Sequence, residues 1–154
     1  MVEEGLKAPA LTLKDQNDIK ISLNQFTGRN VVLYFYPKDN TSGCTKEACN
    51  FRDDFPNFGK LNAVILGVSP DSVESHKKFA AKYDLPFSLL SDEKKEVIEK
   101  YGVWKEKSMY GRKYMGVERS TFIIDKNGIV RKIFRKVKVA DHNSEVTEAL
   151  KELG

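Results

Sequence analysis

The two cysteines of the chain, Cys44 and Cys49, follow a loop that is rich in Pro, Asn and Gly. An apolar run at residues 31–36 precedes this loop, and helical sequence follows it. A helix N-terminus carries about half a positive charge and unpaired N–H groups, so a cysteine placed there is favoured as the thiolate, which is the nucleophile. The second thiol, five residues on, can trap whatever the first one becomes. The pair therefore predicts thiol-based redox chemistry.

The spacing of the two cysteines has a consequence for any disulfide between them. In an intact helix, residues five apart have Cα atoms about 8–9 Å apart, which is beyond the ~7 Å limit for a disulfide. If Cys44 and Cys49 bond, the first turns of the helix must unwind. We therefore expect an element that is helical when reduced and unwound when oxidised.

Length and composition predict a single soluble domain spanning residues 1–154, with 40% apolar and 31% charged residues. The net charge of +4 is spread among acids, so we expect no nucleic-acid partner. No run approaches the ~18 apolar residues of a membrane span, and the N-terminus lacks a secretory signal pattern, which together predict a cytoplasmic protein. In a reducing cytosol, a close cysteine pair is typical of catalysis or metal binding rather than of a structural disulfide.

Hydrophobic periodicity predicts an α/β protein whose mixed central sheet is covered by helices on both faces. The predicted strands are a hairpin at 11–14 and 19–23, buried strands at 31–36 and 63–68, and a second hairpin at 120–125 and 129–135. Helices are predicted at 45–54 and 93–101, and another helix is opened by a capping box of Asp71 and Glu74 and ends before Pro86. A closing helix has Val146, Ala149, Leu150 and Leu153 on one face. The stretch 104–118 matches no period, and we interpret it as a long surface loop.

The segment around the cysteines resembles the active site of a peroxiredoxin, whose signature Pro-x-x-x-Thr-x-x-Cys stands here as Pro37, Thr41 and Cys44. The wider segments 34–52 and 109–122, together with the closing helix, resemble the peroxiredoxin Q or bacterioferritin comigratory protein subfamily. This resemblance covers nearly the whole chain. It implies a thioredoxin-like fold with an added N-terminal β-hairpin.

The resemblance also implies roles for the two thiols. Cys44 would be the peroxidatic cysteine, which attacks the O–O bond of a hydroperoxide and becomes a sulfenic acid. Cys49 matches the resolving cysteine of those members that place it five residues later, giving an intramolecular disulfide.

Four further residues match the family pattern. Thr41 would hydrogen-bond the thiolate and the peroxide oxygen, and Arg119 would hold the thiolate and polarise the substrate. Pro37 would shield the thiolate from water. Glu47 would orient Arg119 or Thr41 without contacting the substrate itself.

The activity implied is that of a thiol peroxidase, which reduces hydrogen peroxide or organic hydroperoxides to water or alcohols. Thioredoxin or a similar dithiol protein would reduce the disulfide again. We expect no metal, haem or flavin, and we expect a monomer, as is common in this subfamily.

Four alternatives compete with this interpretation. Both cysteines could be small buried hydrophobes. The chain could be a general disulfide oxidoreductase, although the Cys-x-x-Cys that such enzymes normally carry is absent. It could be a redox sensor or holdase, in which a disulfide switches a binding surface. It could also be a zinc-stabilised binding module that uses the cysteines with His76 and His142.

Overall fold

A mixed sheet of seven strands forms the centre of the computed structural model, which describes residues 2–153. Residues 2–153 form nine strands, of which seven belong to this sheet: β1 (Thr12–Lys14), β2 (Lys20–Ser22), β3 (Asn30–Phe35), β4 (Ala63–Ser69), β5 (Ser88–Ser91), β6 (Trp104–Met109), β7 (Arg112–Val117), β8 (Ser120–Ile124) and β9 (Val130–Phe134). The order across the central sheet is β2-β1-β5-β4-β3-β8-β9, while β6 and β7 pair separately.

Five α-helices and one short 3-10 helix connect these strands. The α-helices are α1 (Ser42–Asp53), α2 (Phe55–Lys60), α3 (Val73–Tyr83), α4 (Glu96–Lys100) and α5 (His142–Glu152), and the 3-10 helix is Leu23–Phe26.

The central strands β3 and β4 run parallel and are buried on both faces, as the apolar runs predict. Side chains of β3 alternate between two cores. Tyr34 and its neighbours on that face pack with α1, α2, α3 and α5, whereas Leu33 and Phe35 pack with α4 and the N-terminal segment. The predicted α/β fold with helices on both faces and an N-terminal hairpin is therefore confirmed.

The prediction of a long loop at 104–118 is wrong, because β6 and β7 form an antiparallel hairpin there. Tyr110 and Gly111 make its two-residue turn with φ angles of 52° and 78°, and positive φ at both central residues matches the right-handed twist of a hairpin. Most side chains of both strands are exposed. The alternation of apolar and polar residues that marks a half-buried strand is therefore missing from the sequence.

Several predicted boundaries also shift. Helix α1 begins at Ser42, earlier than the expected residue 45, so Cys44 lies inside its first turn. The predicted capping box of Asp71 and Glu74 is wrong, because Ser72 is the N-cap of α3 and its hydroxyl accepts the Ser75 N–H at 3.1 Å.

Across residues 2–153, no helix combines the length and the apolar character that crossing a bilayer requires.

Candidate active site

Cys44 occupies the third position of α1, and its residue is only 2% exposed. Thr41 is the N-cap of this helix. Glu47, Ala48 and Phe51 continue the buried side of α1, so the thiol faces the protein interior near unpaired helix N–H groups, which favour an anion. The position is suited to a stabilised thiolate.

Arg119, the residue directly before β8, contacts this thiol. In the antiparallel register of β3 and β8, Phe35 lies opposite Ser120. Arg119, one residue before Ser120, therefore lies beside the loop that leaves β3 and enters α1. Its Nη2 donates to Cys44 Sγ at 3.4 Å. Strand pairing thus joins two residues that are 75 positions apart in the sequence.

Gly43 gives the guanidinium room to approach. A Cβ at this glycine would lie 3.1 Å from Arg119 Nη2, which is tighter than an ordinary van der Waals contact. A side chain here would therefore push against the group that contacts Cys44.

Glu47 holds the other end of the same guanidinium. Arg119 Nη1 donates to Glu47 Oε1 at 2.6 Å, and the Glu47 side chain is only 2% exposed. Burial raises the pKa of Glu47 from 4.5 to about 7, although the Arg119 charge and its hydrogen bond act in the opposite direction. Among residues 2–153, Oε2 of Glu47 is a buried oxygen with no hydrogen-bond partner, which is consistent with this desolvation.

Charges near the thiol are coupled to one another. Burial opposes the positive charge of Arg119, but the anions of Glu47 and Cys44 outweigh it and raise the Arg119 pKa. Partial burial and then Arg119 lower the pKa of Lys107, while the Cys44 anion raises it. Lys107 lies on β6, so the hairpin brings a second cation within electrostatic reach of the thiol. The sequence carries no signal for this placement, because the mostly exposed strands of the hairpin lack a periodic pattern.

The remaining predicted residues are placed less directly. Thr41 is exposed, and its hydroxyl donates to the Lys38 carbonyl at 2.9 Å rather than to Cys44. Pro37 is half-buried and directly follows the buried Tyr36 at the end of β3. The structure thus brings Cys44, Arg119 and Glu47 into contact, and it places Pro37 and Thr41 on the loop beside them.

Cys49 lies five residues after Cys44 on the same unbroken helix, and both thiols are free. Its side chain is half-buried, whereas that of Cys44 is buried. A direct bond between them needs α1 to unwind, because Cα atoms five residues apart in a helix lie about 8–9 Å apart and a disulfide allows only ~7 Å.

The two histidines do not join the cysteines. His76 and His142 are 0% and 1% exposed, so neither lies on a solvated helix face. His76 contacts Asp39, and His142 contacts Thr121. Within residues 2–153, the cluster with metal-ligand geometry contains Asp39, Asp71 and His76 and neither cysteine, which gives the zinc alternative no support.

Comparison with known proteins places this site in a family. The family model for the AhpC/TSA family matches residues 5–133. Peroxiredoxin Bcp from Bacillus subtilis (strain 168) is 52% identical over 152 residues, covering 99% of this chain and 97% of that protein.

Solved structures agree with the sequence relatives. A PrxQ mutant from Xylella fastidiosa superposes with a TM-score of 0.93 at 38% identity, covering 99% of this chain and 97% of that one. A structure that addresses the alkyl peroxide reduction activity of Xanthomonas campestris bacterioferritin comigratory protein has a TM-score of 0.90 at 43% identity, covering 97% and 98%. The chain therefore belongs to the AhpC/TSA family, and its relatives are peroxiredoxins of the Bcp and PrxQ type.

Proposed function

We propose that this peroxiredoxin reduces hydrogen peroxide and organic hydroperoxides to water or alcohols, with Cys44 as the attacking thiolate and Cys49 as the resolving thiol. The observation that carries the proposal is the contact of Arg119 Nη2 with Cys44 Sγ, 3.4 Å apart at the start of α1. The alkyl peroxide reduction activity of the Xanthomonas relative supports the organic substrate class.

The proposed reaction has three steps. The Cys44 thiolate attacks one peroxide oxygen, the O–O bond breaks, and the sulfur becomes a sulfenic acid while the leaving oxygen takes a proton as water or alcohol. The Cys49 thiol then displaces the sulfenic hydroxyl, which leaves as water, and an S–S bond forms. A dithiol protein such as thioredoxin finally supplies two electrons and two protons to restore both thiols.

The surrounding residues have electrostatic roles in the first step. Arg119 stays charged and presents a fixed fork of donors, so it can stabilise both the thiolate and the negative charge that develops on the peroxide oxygens. Glu47 holds that fork through its 2.6 Å bond to Nη1. We propose that Thr41 turns its exposed hydroxyl from Lys38 to the bound peroxide, and that Pro37 limits access of water to the sulfur.

The test is stopped-flow reaction of the reduced protein with hydrogen peroxide, followed by the fluorescence of Trp104, the single tryptophan. Mass spectrometry of quenched samples should show loss of both thiols to one Cys44–Cys49 disulfide. We expect a rate far above that of free cysteine. A rate no better than free cysteine would reject the peroxidase and favour the redox sensor or binding module.

Two cysteine variants separate the proposed roles. Cys44→Ser should abolish turnover, so surviving peroxidase activity would overturn the mechanism. Cys49→Ser should complete one attack but stall recycling by thioredoxin. Unimpaired thioredoxin-dependent turnover of this variant would show that another thiol resolves Cys44.

We also propose that the enzyme acts as a monomer. Sedimentation of the reduced and oxidised forms at micromolar concentration should give the mass of one chain, 17.5 kDa, in both states. A stable dimer in either form would reject this part of the proposal.

A further inference from the structure

A buried polar cluster lies behind the loop that carries Pro37 and Thr41. Its centre is the contact between Asp39 Oδ2 and His76 Nδ1 at 2.6 Å, with side-chain exposures of 4% and 0%. The Tyr36 hydroxyl donates to Asp39 Oδ1 at 2.6 Å. Nothing in the proposed reaction uses these groups, yet they touch the active-site loop directly.

Hydrogen bonds engage every polar atom of the two side chains. Nε2 of His76 lies 3.0 Å from the Leu90 carbonyl, which can only accept, so this nitrogen carries a proton. Asp39 Oδ2 also receives the Ser75 hydroxyl at 2.8 Å, and Tyr36 donates to the other oxygen. Asp39 Oδ2 also lies 2.6 Å from His76 Nδ1, so both carboxyl oxygens of Asp39 and both ring nitrogens of His76 take part in hydrogen bonds.

Hydrogen bonds hold both the backbone and the side chain of Asp39. The backbone N–H of Asp39 donates to Asp71 Oδ2 at 2.8 Å, and both carboxylate oxygens are occupied as described. Asp39 lies two residues before the N-cap Thr41 and five before Cys44. The loop between β3 and α1 is therefore tied to α3 and to the Leu90 strand β5 at a point just upstream of the helix.

Building on the proposed peroxidase function, we propose that His76 is a positioning residue that acts through Asp39. It holds the start of α1 in place for attack on peroxide and marks the upstream limit of the unwinding that the disulfide requires. Hydrogen bonds that form a connected network in a buried setting are strong enough for this role.

Attack on peroxide and closure of the disulfide need opposite states of α1. Attack on peroxide needs the first turn of α1 assembled around Cys44, and disulfide closure needs that turn unwound. Loosening the anchor should therefore slow attack without slowing closure. A side chain that only supports overall stability would change unfolding but leave both rate constants of the folded protein unaltered.

Two variants divide the contacts of His76. In His76→Gln the amide nitrogen can replace Nε2 at Leu90 and the bond to Asp39 is lost, whereas in His76→Asn the amide nitrogen can replace Nδ1 at Asp39. We expect the glutamine variant to lose at least about tenfold in the stopped-flow rate constant with hydrogen peroxide, the loss associated with leaving a buried hydrogen-bonding atom of Asp39 without its partner. The asparagine variant should retain more of that rate, and closure to the disulfide should be undiminished in both.

His142→Gln is the matched control. His142 is buried to the same degree, but its ring bonds to Thr121 and Glu145 rather than to Asp39. Its variant should lower thermal stability while leaving the peroxide rate unchanged. Equal peroxide rates for His76→Gln and wild type, or attack and closure slowed by the same factor, would overturn the proposal.

Amide exchange of the reduced protein tests the anchor without any peroxide. The Asp39 amide should exchange at least about tenfold faster in His76→Gln than in wild type, because its bond to Asp71 opens with the loop. Should His76→Gln not fold, Asp71→Ala removes the same amide's acceptor from the partly exposed side and should also slow attack but not closure. Unchanged Asp39 exchange in folded His76→Gln would reject the anchor, whereas a slow wild-type reaction with a loosened variant loop would reject only the peroxidase.

Discussion

Arg119 donates to the buried carboxylate of Glu47 at 2.6 Å with one terminal nitrogen of its guanidinium. The other terminal nitrogen is the one that faces Cys44 Sγ, at 3.4 Å. Because the guanidinium is rigid and planar, the carboxylate determines how the second nitrogen is aimed. A displacement at either end of this pair is therefore transmitted to the thiol.

Replacement of Arg119 by lysine keeps the charge but removes the fork. One ammonium cannot hold both the Glu47 and the Cys44 contact in the same geometry, so we expect the peroxide rate constant to fall roughly 10- to 100-fold. Stopped-flow kinetics with hydrogen peroxide measures this directly. Arg131→Lys, at a half-exposed pair with Asp125, is the control and should keep the wild-type rate. A lysine variant of Arg119 as fast as wild type would contradict the role of the fork.

Gly43→Ala should separate stability from reactivity. Alanine in a helix is favoured over glycine by up to about 1 kcal/mol, so thermal stability should hold or rise. The new Cβ, 3.1 Å from Arg119 Nη2, should displace the guanidinium and slow the peroxide reaction. Gly59→Ala in α2 is the matched control, since a Cβ there meets nothing within 4 Å, and its rate should not change. Reaction of Gly43→Ala at the wild-type rate would mean that Arg119 tolerates the methyl group.

Glu47 predicts a pH dependence of stability. Its folded pKa of about 7 exceeds the ordinary value of 4.5, so between these pH values the folded state binds more protons than the unfolded chain. The Glu47 contribution to the free energy of unfolding therefore decreases as pH rises from 4.5 to 7, by roughly 3 kcal/mol for such a shift. Denaturant unfolding at pH 5 and pH 8 should show a decline in wild type that is absent from Glu47→Gln. Identical pH profiles for the two proteins would contradict the raised pKa.

The intact helix of the reduced protein predicts a change on oxidation. Amides across residues 44–52 should exchange faster after the Cys44–Cys49 disulfide forms, because the Cα separation in a helix is too long for the bond. Hydrogen exchange of the two redox forms measures this, with the amides of α3 as the internal control. Equal exchange across 44–52 in both forms would show that the helix does not unwind.

Local patterns in the sequence were sufficient for most of the fold. Continuous apolar runs predicted β3 and β4 because strands covered on both faces need apolar residues throughout. The Asn127–Gly128 turn predicted the β8–β9 hairpin for the same kind of local reason. The β6–β7 hairpin escaped prediction because its strands are mostly exposed, and no amphipathic signal marks such strands.

The sequence by itself determined which residues are able to do chemistry. It predicted a thiol at a helix start, with a second thiol one and a half turns away, because helix dipoles and helical spacing are local properties. Tertiary structure decided what surrounds that thiol. The contact between Arg119 and Cys44 depends on the register of β3 against β8, and the burial of His76 against Asp39 depends on how α3 packs. Pairing and packing across dozens of residues have no local signature, so local patterns could not place Arg119 at the thiol, and only the resemblance to peroxiredoxins implied that role.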